Sequence, residues 1–213
     1  MEILSFLCLI FTALVIGVTA RVIYLLIKIF TTECALYQDS NLRTIFCIGS
    51  GGHTTELLRF MRNLNCRKYY PRLYILADND INSESKIFEA ENKQSTYLLN
   101  KIPRSRKVNQ SYFSSVFSTI YSTLITVPVI YKFKPNVIFC NGPGTCIPIC
   151  VVAFILRILF LLDCRIVFIE SICRVRSLSL TGKILQYFAD LVVVQWPQLR
   201  DVSLRAKYFG RLT

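Results

Sequence analysis

Three short loops contain most of the residues in this chain that could do chemistry. They are GSGGH at 49–53, NGPGT at 141–145 and ESICR at 170–174, and each follows an apolar run typical of a buried strand. In an open parallel sheet, ligands bind beyond the carboxyl ends of the strands. The sequence therefore predicts that all three loops open on the same edge of one sheet.

The two glycine-containing loops have the composition of anion sites. Glycine allows positive φ and close backbone approach, and each loop leads into a helix-like run, whose free N–H groups and dipole favour an anion. The first loop matches neither GxGxxG nor a Walker A box, so by itself a tight turn explains it equally well, and the second could be a plain connector. The residues predicted to face an anion are Gly49, Ser50, Gly51, Gly52, Asn141, Gly142, Pro143, Gly144 and Thr145.

Two side chains in these loops could transfer a proton. His53 is the only histidine and stands at a predicted helix start, where the dipole disfavours its charged form and a neutral imidazole could accept a proton from a sugar hydroxyl. A hydrogen bond to a loop carbonyl is the alternative role. Glu170 is the other candidate catalytic base, and its alternative role is to hold Arg174 or an acceptor hydroxyl.

The elements that must position these loops alternate between strand-like and helix-like runs. This order predicts an α/β fold, a Rossmann-like parallel sheet with helices on both faces. The run at 147–162 is apolar but contains Arg157, so we expect a helix packed on the sheet rather than a second membrane span. The predicted strands are 43–48, 72–77, 95–100, 136–140, 165–170 and 191–195, and the predicted helices are 54–64, 83–93, 111–133, 147–162 and 179–190.

The N-terminal segment predicts a membrane anchor. Residues 3–20 contain no charge, and the apolar character resumes after Arg21 as far as Lys28. About twenty apolar residues span a bilayer as a helix, and the basic residues that follow predict a cytosolic body. A cleaved signal peptide is the alternative, but the run is long and Glu2 replaces the usual basic start. We therefore expect an anchor at 1–30, a linker at 31–42 and a cytosolic domain at 43–213.

Composition narrows the classes of partner and cofactor. The 213 residues include 25 Lys and Arg against 13 Asp and Glu, a net charge of +12, and the mean hydropathy is +0.46. This excess suits an anionic membrane face or a phosphorylated ligand, while the motifs of nucleic-acid-binding modules are missing from the sequence. The nine cysteines form no CxxC pair and are accompanied by one histidine. We therefore expect reduced thiols, no metal, no cofactor and no nucleic-acid partner.

Several longer strings resemble one known family in the same order along the chain. They are GSGGHTTELL, IPRSR, CNGPGTCIPIC, ESICRV, SLTGKIL, VVQWPQL and KYFGRL. Together they resemble the membrane-anchoring subunit of the UDP-N-acetylglucosamine (UDP-GlcNAc) transferase of dolichol-linked oligosaccharide synthesis. The glycine loop with its histidine more distantly resembles the acceptor half of MurG-type glycosyltransferases, which have the GT-B fold.

The resemblance implies a division of labour between two chains. This chain would anchor to the endoplasmic reticulum and bind GlcNAc-diphosphodolichol on the cytosolic face, while a soluble catalytic subunit would bind UDP-GlcNAc. The resemblance also implies an interaction with the next enzyme, a mannosyltransferase. By this resemblance, residues 49–53 and 141–145 would bind the acceptor diphosphate. Glu170 and Arg174 would line the cleft.

The length of the chain is consistent with one of the two domains that a GT-B enzyme requires. A GT-B enzyme has two Rossmann-like domains, whereas the residues after the predicted anchor and linker suffice for one. The alternatives are a self-sufficient homodimeric glycosyltransferase and a pure scaffold with a degenerate site. A nucleotide-binding oxidoreductase would require copurifying NAD or FAD.

Overall fold

The computed structural model describes residues 2–32, 41–65, 67–91, 96–106, 110–142 and 144–212. Within them a seven-stranded, fully parallel sheet has the order β3-β2-β1-β4-β5-β6-β7. The strands are β1 (Thr44–Cys47), β2 (Arg72–Ala77), β3 (Leu98–Ile102), β4 (Val137–Asn141), β5 (Arg165–Ile169), β6 (Leu191–Val194) and β7 (Ala206–Tyr208). The predicted Rossmann-like fold is confirmed.

Helices cover both faces of this sheet. The helices are α1 (Glu2–Thr31), α2 (Gly52–Arg62), α3 (Ile81–Ala90), α4 (Tyr112–Phe133), α5 (Cys146–Ile158) and α6 (Leu180–Leu185), and a 3₁₀ turn spans Pro197–Arg200. One face packs against α4, α5 and α6 through residues such as Ile130, Ile149 and Leu185. The other packs against α2 and α3 through Leu57 and Ile87. Burial on both faces explains why the central strands read as continuous apolar runs.

The edges of the sheet differ from the sequence prediction. Strand β3 ends at Ile102, two residues beyond the predicted run at 95–100, because Lys101 and Ile102 pair with the last residues of β2. Strand β7 was not predicted. Its three residues are each half-buried, so they lack the apolar run of a central strand.

Helix α5 shows how Arg157 is accommodated in an apolar run. The Arg157 guanidinium is 2% exposed and donates to both carboxylate oxygens of Asp190 at 2.7 and 3.1 Å. Asp190 also accepts from Arg165 at 3.2 Å and from the Ile166 backbone N–H at 2.9 Å. The charge is therefore paired inside the domain, and the prediction that this helix packs on the sheet is confirmed.

Helix α1 has an exposed apolar N-terminal segment and a C-terminal end that packs against the domain. The most apolar 18-residue stretch of α1 is fully exposed, while Leu25 and Ile29 are buried against the domain. Arg205 donates to the Ile29 carbonyl and to the Ala189 carbonyl. Most of the predicted linker at 31–42 lies outside the described residues.

Two described helices, α1 and α4, are long and apolar enough to cross a membrane. Helix α4 packs against α5 on the sheet, yet much of its surface is open. Its exposed apolar face consists of Phe113, Val116, Phe117, Ile120, Tyr121 and Leu124, with exposed fractions between 52 and 79%. The apolar sequence predicted this helix correctly but gave no indication of which face stays open.

Candidate functional site

The three predicted loops meet at the carboxyl edge of the sheet. The chain runs from β1 outward to β3 and then crosses to β4 on the other side of β1. The ends of β1 and β4 therefore form the switch point at which open α/β sheets bind ligands. His53 after β1 lies 2.9 Å from Asn141 at the end of β4, measured from Nδ1 to Oδ1.

The first glycine loop leaves the start of α2 open. Gly51 has φ 67° and ψ −121°, a conformation that suits glycine alone. It provides no side-chain cap, and no acidic residue occupies the first turn. The free N–H groups of a helix start attract anions, so this geometry favours the anion interpretation over a simple turn.

Lys86 of α3 is a residue that the sequence analysis did not identify. Its ammonium group donates to Thr55 Oγ1 at 3.0 Å and lies 3.4 Å from the Gly51 carbonyl oxygen. A cation is thus held beside the open start of α2. No sequence motif marks this lysine, because α3 follows β2 and reaches the loop only in the folded sheet.

The second loop brings another helix start to the same edge. Thr145 precedes α5 and makes no capping hydrogen bond through its side chain. The loop that follows β3 packs alongside, because a Cβ atom on Gly144 would lie 3.6 Å from Ser105 Cβ and 3.9 Å from Arg106 Cβ. The predicted site residue Pro143 lies outside the described residues.

Gly142 is required by the position of His53. Its φ is 114°, and a Cβ atom there would lie 2.8 Å from His53 Cγ. The imidazole therefore packs directly on the backbone of the second loop. Only glycine allows both the dihedral angle and the contact.

Glu56 connects all three loops and was also missed by sequence reasoning. Its carboxylate accepts from Asn141 Nδ2 at 3.0 Å, from Ser171 Oγ at 2.9 Å and from the Ile172 backbone N–H at 3.3 Å. Glu56 is only 9% exposed. Because its partners are 85 to 116 positions away, only the folded sheet reveals this role.

Glu170 is buried beneath the third loop. It is 1% exposed, and burial raises the pKa of its carboxyl, although hydrogen bonds from Ser179 and Ser171 and the charge of Arg174 oppose that shift. Both oxygens are engaged, Oε1 by the Ser171 N–H and Oε2 by the Ser179 N–H and hydroxyl. This geometry favours a structural role that holds the loop at 171–179. A catalytic role for Glu170 stays a prediction.

The remaining predicted residues lie around the opening. Gly51, Gly52 and Arg174 are exposed, and Ser50 is half-buried. Among the described residues, no group of three or more His, Cys, Asp or Glu side chains could hold a metal ion. Chemically, the site therefore offers two open helix starts and a lysine for an anion, with one imidazole between the two loops.

Comparison with known proteins gives the family of this chain. Residues 44–212 match the family described as "Oligosaccharide biosynthesis protein Alg14 like". The human UDP-N-acetylglucosamine transferase subunit ALG14 is 41% identical, with 96% of this chain and 99% of that protein covered. The mouse subunit is 46% identical over 182 residues, which cover 81% of this chain and 83% of the relative.

Solved structures support the fold. MurG from Acinetobacter baumannii superposes with a TM-score of 0.56 at 13% identity, covering 78% of this chain and 45% of MurG. UDP-N-acetylglucosamine 2-epimerase from Rickettsia bellii gives a TM-score of 0.53 at 13% identity, with coverages of 81% and 45%. This chain thus spans about half the length of the enzymes that share its fold. By its sequence over residues 44–212, the chain belongs to the Alg14 family of UDP-N-acetylglucosamine transferase subunits in oligosaccharide biosynthesis.

Proposed function

We propose that this chain is the membrane-anchored, acceptor-binding half of a two-chain transferase. A soluble partner would bind UDP-GlcNAc, and the pair would add the second GlcNAc to GlcNAc-diphosphodolichol on the cytosolic face of the endoplasmic reticulum. The observation that carries the proposal is a single Rossmann-like domain with two open helix starts at its switch point. This arrangement supports diphosphate binding on one wall of a cleft whose other wall is another polypeptide.

Within this proposal the loops have distinct roles. The backbone of 49–52 and of 141–145 faces the acceptor diphosphate, and Lys86 and Arg174 add positive charge. His53 accepts the proton of the sugar hydroxyl that attacks C1 of the donor GlcNAc, and UDP leaves with the electron pair of the broken bond. Glu170 holds the third loop in place instead of acting as the base, since both of its oxygens already accept hydrogen bonds inside the domain.

Reconstitution tests the two-chain proposal. The chain purified alone should transfer no GlcNAc to GlcNAc-diphospholipid, and addition of the soluble UDP-GlcNAc-binding partner should restore transfer. Because one domain forms only one wall of the cleft, the expected dependence on the partner is complete. Transfer by this chain alone would instead favour a self-sufficient homodimer. A pair that keeps full turnover when Gly51 and Gly52 are both replaced by leucine would favour a pure scaffold.

The membrane placement rests on α1 and on the exposed face of α4. Helix α1 would span the bilayer, and the α4 face would lie on the membrane surface in the manner of an interfacial helix. Basic residues stand at both ends of α4, with Arg104 and Arg106 before it and Lys132 and Lys134 at its end. They favour anionic headgroups.

Phe117 and Leu124 are both 64% exposed on the α4 face. The double variant Phe117→Glu, Leu124→Glu should reduce transfer to a long-chain acceptor in vesicles by at least about tenfold. The reason is the lost apolar burial and the added charge. Transfer to a short-chain acceptor with the same diphosphate head should persist. Phe88→Glu is the matched control, because Phe88 is 50% exposed on α3, across the sheet from α4. Equal losses with both acceptors would reject a membrane role for this face.

A further inference from the structure

We infer that Glu56 is a positioning residue for His53. Acting through Asn141, it holds the neutral imidazole with its proton on Nδ1 and leaves the Nε2 lone pair to accept a proton. The hydrogen bonds carry this inference by themselves, while its catalytic consequence rests on the proposed function.

The orientation of the Asn141 amide follows from its contact with Glu56. A carboxylate has only acceptor oxygens, so the Asn141 atom that lies 3.0 Å from Glu56 Oε2 must be the amide nitrogen. Glu56 itself is held by two further donors, Ser171 Oγ–H and the Ile172 N–H. Asn141 is fully buried, so water cannot hydrogen-bond to its amide and stabilise the flipped orientation. Glu56 therefore directs Asn141 Oδ1 towards the imidazole.

The orientation of Asn141 in turn determines which nitrogen of His53 carries the proton. Asn141 Oδ1 lies 2.9 Å from His53 Nδ1, and a carbonyl oxygen can only accept. Nδ1 must then be the donor. A neutral imidazole has one N–H, so its Nε2 is an acceptor.

His53 Nε2 has no partner among the described residues and faces the opening between the loops. The ring packs against Gly142 on one side, yet His53 remains half-buried between the open glycine loops. Among the described residues, the only hydrogen bond of the His53 side chain is the one through Nδ1. Nε2 is thus the nitrogen available to a bound hydroxyl, as a general base requires.

The single histidine of this chain allows a direct test. The full chain, labelled with ¹⁵N-histidine and purified with a histidine-free tag, would give one imidazole in ¹⁵N NMR. At a pH where the ring is neutral, the wild-type spectrum should show a protonated Nδ1 and an unprotonated Nε2. A spectrum with the proton on Nε2 would overturn the inference whatever the protein does catalytically.

Two substitutions of Glu56 distinguish the effect of its acceptor oxygens from the effect of its side-chain size. Glu56→Gln keeps an oxygen for Asn141 Nδ2, and its amide can donate to Ser171 Oγ, so the Nδ1-protonated form should remain. Glu56→Met has similar length but no strong acceptor, so the Asn141 amide is released and the Nε2-protonated form should appear. Ser171→Ala is the control, because it removes one contact of Glu56 without touching Asn141 and should leave the tautomer unchanged.

Kinetics of the reconstituted pair connect the tautomer to turnover. For Glu56→Met, kcat should fall by about 10- to 100-fold, short of the loss caused by removing a general base, and KM should change little. Glu56→Gln should recover most of that loss. An unchanged tautomer in Glu56→Met would reject the inference. A shifted tautomer together with full turnover of a His53→Ala pair would support the positioning role and reject His53 as the base.

Discussion

Alanine in place of His53 is expected to lower kcat of the reconstituted transferase by about 10²- to 10⁴-fold, the contribution typical of a positioned general base. The Nδ1 of His53 contacts Asn141, whose amide is oriented by Glu56, and this arrangement leaves the Nε2 lone pair to accept a proton. The diphosphate contacts proposed for the loop backbones do not involve this side chain. We therefore expect KM for the lipid acceptor to change much less than kcat, as measured by initial rates in vesicles.

A second variant and a control make this expectation specific. Gly142→Ala should cause a comparable fall in kcat, because the added Cβ would lie 2.8 Å from His53 Cγ and displace the ring. Arg59→Ala on the exposed side of α2 should keep normal turnover. Full activity of the His53→Ala pair would remove His53 from the mechanism, and normal activity of Gly142→Ala would show that the ring position does not matter.

The parts of the fold that depend on continuous burial could be predicted from the sequence. Strands such as β2 and β4 are buried along their whole length, so they are apolar apart from Arg72 at the start of β2 and Asn141 at the end of β4. The loops at 49–53 and 141–145 could be placed at one edge because parallel strands share the direction of their carboxyl ends. By contrast, β7 and the end of β3 are strands because they pair with a neighbouring strand. Such pairing does not require an apolar composition, so it could not be predicted from the residue types.

The parts of the site that depend on long-range contacts could not be predicted. Glu56 looks like one more polar residue of an amphipathic helix, and its function appears only when β4 and β5 bring Asn141 and Ser171 beside it. Lys86 likewise reaches the glycine loop only because α3 packs next to α2. The position of Glu170 after a strand could be predicted, whereas its burial could not, and burial with two engaged oxygens is what favours a structural role.

Removal of the Asp190 carboxylate is expected to destabilise the domain strongly. In Asp190→Ala, the Arg157 guanidinium would remain buried at 2% exposure without its partner, and an uncompensated buried charge costs about 3–5 kcal/mol. The melting temperature of the full chain in detergent should fall on the order of 10 °C. Because Arg205 joins α1 to the carbonyls of Ala189 and Asp190, the packed end of α1 should loosen as well.

An exposed ion pair between α3 and β3 provides the control for Asp190. Glu84 and Lys101 lie 2.7 Å apart, with side chains 42 and 40% exposed, and solvent-exposed pairs contribute about 0–1 kcal/mol. Glu84→Ala should therefore leave the melting temperature almost unchanged. If both variants melt alike, the Arg157–Asp190 pair does not stabilise the domain. If only Asp190→Ala melts early, Arg157 within the apolar helix is a structural requirement, because its pair with Asp190 joins α5 to β5 and to the residue that precedes β6.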